Sequence, residues 1–187
     1  MCDFLTMAEN VPPVEDARRF AFSCFKALSG TGQVIRHRLC EQIEAAVIAT
    51  ADTENLDVLR ASAYLQEVGV VHSSREKPRH SIQMVEQFFG EQYGPLDPRL
   101  VDCILNHVRP QVARTLEGQL MQICHKYVTT HYLDYMLWKH HISDKKFEKL
   151  QLERIEAYSR YLRGHLRGSA IEAALQDMFL NKGKLRS

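Results

Sequence analysis

The chain reads as an all-α protein. Apolar residues recur at helical spacing through its longer segments, and no alternating run of β-branched residues is bounded by turn dipeptides. The strongest breakers (Pro12-Pro13, Gly30 to Gly32, "YGPLDP" and Pro110) fall between those periodic segments. At 187 residues the chain fits one domain with an appendage and can bury a sizeable core. Its 45% apolar and 25% charged residues are ordinary for a soluble globular protein.

A first helix is expected over 14–29, after Pro12-Pro13 and ending at Ser29 to Gly32. A second, 33–51, places Ile35, Leu39, Ile43, Ala46 and Val47 on one face. A third, 56–68, carries Leu56, Leu59, Ala63 and Tyr64 and stops at Gly69, read as a C′ glycine. Residues 70–78 read as a loop, whose Lys77 and the following Arg79 could meet a phosphate but read first as solvated basic residues. Helix 79–92 turns Ile82, Val85, Phe88 and Phe89 inward, and "YGPLDP" ends it. A short helix follows over 98–107, then a long one over 115–140 with Leu116, Leu120, Ile123, Tyr127 and Leu133 inward. Two more, 144–163 and 169–181, are separated by Gly164 and Gly168. The organisation is an N-terminal helical segment (1–32), a helical core (33–140) and C-terminal helices (141–187) that pack on the core or on a partner. The Phe and Tyr of "FEKLQLERIEAYSRYL" offer either an intramolecular surface or a homodimer face.

No apolar run reaches the roughly 18 residues of a membrane span. The N-terminus contains acids and lacks a basic segment followed by an apolar one, so no signal peptide is read and cytoplasmic residence is the expectation. Five scattered cysteines without a CxxC pair argue for reduced, packed thiols over a disulfide framework or thiolate zinc site. The net charge of +1 hides a mildly basic tail, with 11 Lys/Arg against 6 Asp/Glu in 139–187. Such a tail reads first as a solvated helix face, and nothing singles out nucleic acid as a partner.

Nine histidines are many for this length. Taken singly, each reads as a surface or satisfied core residue. Several fall where helices of a bundle can aim side chains at one point: His37 in an early helix, His80 at a helix start, His107 at a helix end, His125 in mid-helix. Imidazole and carboxylate together suit Zn, Fe, Mn or Ni. No HExxH or other local metal motif is present.

Five phrases give these histidines a shared context: "VIRHRLCEQIEAAVIA" with His37, "AYLQEVGVV" with Gln66-Glu67, "PRHSIQMVEQFF" with His80, "CILNHVRP" with His107, and "LEGQLMQICHKYVTT" with His125. Their order and spacing over residues 33–137 resemble the HD superfamily of metal-dependent phosphohydrolases. That family carries a histidine in an early helix, a His-Asp pair in a phrase similar to "LLHDIGK", and a later aspartate in one similar to "LEGKILQDADRLD". Many members add histidines where His80 and His107 stand. The resemblance implies an HD-domain-like helical bundle with a C-terminal extension. It also implies a metal set of His37, Glu67, His80, His107 and His125, with Gln66 as a further oxygen donor.

The chemistry departs from the pattern. Gln66-Glu67 replaces His-Asp, Val70 replaces a common lysine, and His125 replaces the final aspartate, leaving His37 as the unchanged defining ligand. Four imidazoles and one carboxylate would suit one divalent transition metal better than two adjacent cations, whose repulsion one carboxylate hardly offsets. The leading expectation is therefore a degenerate centre, metal-free or singly loaded, in a non-catalytic ligand-binding, regulatory or scaffold domain. Its ligand would be a nucleotide or another phosphate-containing small molecule. The alternative is a metal-dependent phosphohydrolase working through a remodelled histidine-rich site.

Overall fold

In a computed structural model, residues 10–73, 76–108, 113–131 and 160 are described. Six helices follow one another: α1 (Val14–Phe25), α2 (Gly30–Thr50), α3 (Leu56–Leu65), α4 (Lys77–Tyr93), α5 (Pro98–Asn106) and α6 (Leu116–His131). A 3₁₀ turn, Val68–Val71, joins α3 to α4, and the described residues contain no strand. The all-α expectation holds for these residues, and none of the helices is long and apolar enough to cross a membrane. Apart from residue 160, the expected helices 144–163 and 169–181 and the basic tail lie outside the described residues, as does Leu133.

α3 is the axis of the bundle. Seven of the eight positions from Val58 to Leu65, all but Arg60, are buried, as expected of a helix covered on most sides. α1, α2, α5 and α6 all pack against it. Tyr64, Phe25, Phe89, Leu39, Leu59 and Leu65 are the bulky side chains of that core, each worth about 1.5–3 kcal/mol of burial for the aliphatic and phenyl members. The expected inward face of α2 (Ile35, Leu39, Ile43, Ala46, Val47) is buried throughout. Cys40, Cys103 and Cys124 are buried free thiols and Cys24 is half-buried.

The helix ends account for how the site is held. Asp97 caps α5 by accepting from the Arg99 N–H at 2.7 Å, with Pro98 in the first turn. Thr115 caps α6, its hydroxyl accepting from Gly118 N–H at 3.0 Å. The buried Asp102 carboxylate ties the two helices together. One of its oxygens accepts from Arg114 N–H, Thr115 N–H and the Thr115 hydroxyl at 2.7–2.9 Å, and the other from Asn106 Nδ2.

Three sequence expectations are corrected here. α3 stops at Leu65, and Gly69 lies inside the 3₁₀ turn without a positive φ; among the described residues the positive-φ glycine is Gly94, which ends α4. Gly69 is needed for space: a Cβ there would lie 2.2 Å from the Lys77 carbonyl oxygen and 2.5 Å from Ser81 N. Ser81 clamps the contact, its hydroxyl accepting from Gly69 N–H at 2.9 Å and donating to the Gln66 carbonyl at 3.0 Å. Second, α4 begins at Lys77, so the loop ends two residues earlier than its proline suggested. Third, the buried stripe of α4 is Lys77, Ser81, Val85 and Phe89, while Phe88 is 56% exposed and stacks on Phe20.

Candidate metal centre

Five elements meet at Glu67, the residue between the end of α3 and the 3₁₀ turn, which is fully buried. Arg36 comes from α2, Lys77 from the first turn of α4, His107 from the C-cap of α5 and His125 from mid-α6. All four are buried as well. The Arg36 guanidinium donates to Glu67 Oε2 in a short ion pair. Lys77 Nζ donates to Oε1 at 2.5 Å. His125 Nε2 and His107 Nε2 stand 3.5 Å and 3.7 Å from the same Oε1.

The two imidazoles meet edge to face with centroids 4.8 Å apart. His107 Nδ1 is 2.7 Å from the Ile104 carbonyl oxygen. A carbonyl can only accept, so Nδ1 carries the proton and Nε2 presents its lone pair towards Glu67. Neither ring nitrogen of His125 has a hydrogen-bond partner among the described residues, nor does His107 Nε2.

Burial alone would push the Glu67 carboxyl up, but the ammonium of Lys77 and the guanidinium of Arg36, with His125, hold it well below the usual carboxylate range. Burial, reinforced by Lys77, lowers both imidazoles: His107 well below its ordinary value and His125 to about 3. The centre at neutral pH is therefore one carboxylate, two side-chain cations and two neutral imidazoles. The Cys40 thiol, pushed far up by burial and by Glu67, stays protonated beside it.

Of the expected ligands, Glu67, His107 and His125 come together, their donor atoms all within 4.8 Å of one another. This buried group could hold a metal ion. The other expected donors stand apart from it. His37 points to α1, stacked on Phe22 with centroids 3.9 Å apart, and burial lowers its pKa. It misses the centre because the inward stripe of α2 runs through Arg36, Cys40, Ile43 and Val47, about 100° around the helix from it. His80 is half-buried one turn beyond the α4 start and faces His72, ring centroids 5.6 Å apart. Gln66 is fully buried; its Nε2 donates back to the Ala63 carbonyl at 3.4 Å, and its Oε1 has no hydrogen-bond partner among the described residues.

Arg36 and Lys77 are the members of the centre that the sequence reading left out. Both carried a signal. Arg36 is in register with the buried Cys40, Ile43 and Val47, and Lys77 heads the i, i+4 series Ser81, Val85, Phe89. A charged residue leading a buried stripe must find a counter-charge inside, and Glu67 is that counter-charge. While both oxygens of Glu67 are held this way, the donor set does not fit a metal ion.

No protein-family model, curated protein or solved structure matches this chain.

Proposed function

We propose that the chain is an HD-superfamily-like helical module whose metal centre has been replaced by an internal ion-pair cluster, and that it acts as a non-catalytic ligand-binding, regulatory or scaffold domain. The observation that carries this reading is the state of Glu67. The carboxylate at the position of the family's aspartate is already neutralised by Arg36 and Lys77. Phosphoester hydrolysis in that family needs a metal-bound water of lowered pKa, and a metal needs that carboxylate. The phrases that resemble the family fall on α2, the end of α3, α4, α5 and α6, and those elements do meet at one buried point, which supports the resemblance. The ligand expected of such a module is a nucleotide or another phosphate-bearing small molecule.

The convergence of Glu67 Oε1 with two imidazole nitrogens favours a second reading, a mononuclear hydrolase. A panel of phosphomonoesters, nucleotides and cyclic dinucleotides, assayed with added Mn²⁺, Fe²⁺, Zn²⁺ or Ni²⁺, separates the two. The expected result is no turnover, with at least one nucleotide raising the melting temperature. Turnover that disappears in His125→Ala would establish the hydrolase instead.

A further inference from the structure

We propose that the Lys77 ammonium occupies the coordination position of a single transition-metal ion, so that Glu67 Oε1 takes either Lys77 or a metal and never both. The inference rests on the degenerate-centre reading and adds the identity of the residue that closes the site. Glu67 has two oxygens with separate duties: Oε2 accepts from Arg36, and Oε1 accepts from Lys77 Nζ at 2.5 Å. Oε1 is also the oxygen that His125 Nε2 and His107 Nε2 face at 3.5 Å and 3.7 Å.

Removing Lys77 would leave two imidazoles and one monodentate carboxylate oxygen converging on one point. That is a donor set suited to Zn²⁺ or Fe²⁺, with open positions for water. His107 is oriented for it, since its Nδ1–H is held by the Ile104 carbonyl in the way that ligating histidines are usually held. A metal–carboxylate bond is about 2.0–2.2 Å, so an ion on Oε1 would need the space that Nζ fills. The two cations also repel at that range. Arg36, on the other oxygen, stays in place and keeps Glu67 ionised in either state.

The experiment is a titration of Zn²⁺ by calorimetry, and of Co²⁺ by visible absorption, into four full-length proteins: wild type, Lys77→Met, Lys77→Gln, and Lys77→Met with His125→Ala. The two single variants are expected to take up one ion at least ~100-fold more tightly than wild type, the scale on which removing a like charge acts. The double variant is expected to lose that uptake. Equal affinity of wild type and Lys77→Met overturns the proposal, as does uptake that survives His125→Ala or the absence of uptake in both folded single variants. Unfolding of both single variants overturns it too, because Arg36 is argued to suffice as the counter-ion of Glu67. Phosphoester turnover by wild type would refute the proposed function by a separate readout. Metal uptake by inactive wild type would refute only the exclusion by Lys77.

Discussion

Substituting Glu67 by Gln tests the electrostatic account of the centre most directly. The change keeps the shape and removes the charge that both Arg36 and Lys77 use. At 2.5 Å and an effective dielectric constant of about 20, the Lys77 pair alone has a gross attraction of about 7 kcal/mol, most of it offset by desolvation of the two ions. The loss on mutation is better set by what remains: two buried cations with no carboxylate between them. Breaking one buried pair costs about 3–5 kcal/mol, and here two cations are stranded together, so the upper part of that range applies. For a domain of this size that corresponds to a melting temperature lower by about 10–20 °C. Lys77→Met, by contrast, leaves the Arg36–Glu67 pair intact and should cost far less. The sharper test is the double-mutant cycle. In the Glu67→Gln background, Lys77→Met removes a stranded cation and should stabilise the protein, so its sign reverses between backgrounds. Urea denaturation of the four proteins at pH 7.5 measures the cycle. Equal effects of Lys77→Met in both backgrounds would show that Lys77 and Glu67 are not coupled, and the account of the centre would fall with them.

Two further outcomes follow from the same contacts. Stability should fall as pH drops from about 6.5, where the unfolded histidines begin to protonate, while His125 stays neutral in the fold down to about 3. Each buried imidazole contributes a slope of about 1.4 kcal/mol per pH unit, and His107 is shifted in the same direction. Glu67, depressed in the fold, adds to the loss below the ordinary carboxylate pKa. A flat unfolding free energy between pH 7 and pH 5 would contradict this. Gly69 in the 3₁₀ turn and Gly90 in α4 should respond oppositely to alanine. Gly69→Ala drives a Cβ into the Lys77 and Ser81 backbone and should cost at least about 1–3 kcal/mol. Gly90→Ala meets nothing within 4 Å and should stabilise by about 0.5–1 kcal/mol, as thermal melts of the pair would record.

The class and most elements were legible because burial imposes a helical period. Ile35, Leu39, Ile43 and Val47 repeat as one inward stripe, and all are buried. The site was legible only in part. Glu67, His107 and His125 were found through a resemblance, since nothing local in the sequence links positions that far apart. His37 illustrates the limit. A family template places a histidine within one residue, but one residue is about 100° on a helix, and that angle exchanges an imidazole for the Arg36 guanidinium. Lys77 was missed for a related reason: starting α4 after Pro78 put the lysine in a loop, where basic residues are usually solvated. Proline is favoured in the first helical turn, so the helix legitimately starts before it. Gly69 was assigned a conformational role when its role is close approach, a distinction that only the position of α4 decides.

These misses share one consequence for how the centre works. A metal site built from acids and imidazoles collects its positive charge from solution, so its occupancy follows metal concentration and its contribution to folding follows mass action. Here the positive charge is covalently attached, on α2 and on α4, and arrives with the fold. The burial that lowers both imidazoles also keeps them from competing as cations for Glu67. The His107 Nε2 lone pair therefore faces a carboxylate already satisfied from two other directions. Such a cluster fixes α2, α4 and the end of α3 relative to one another without any ligand. It does so at the cost of leaving imidazole nitrogens buried without a hydrogen-bond partner among the described residues, a cost of roughly 1–3 kcal/mol for each such group. That residual frustration sits in a centre whose positive charge is supplied by lysine and arginine.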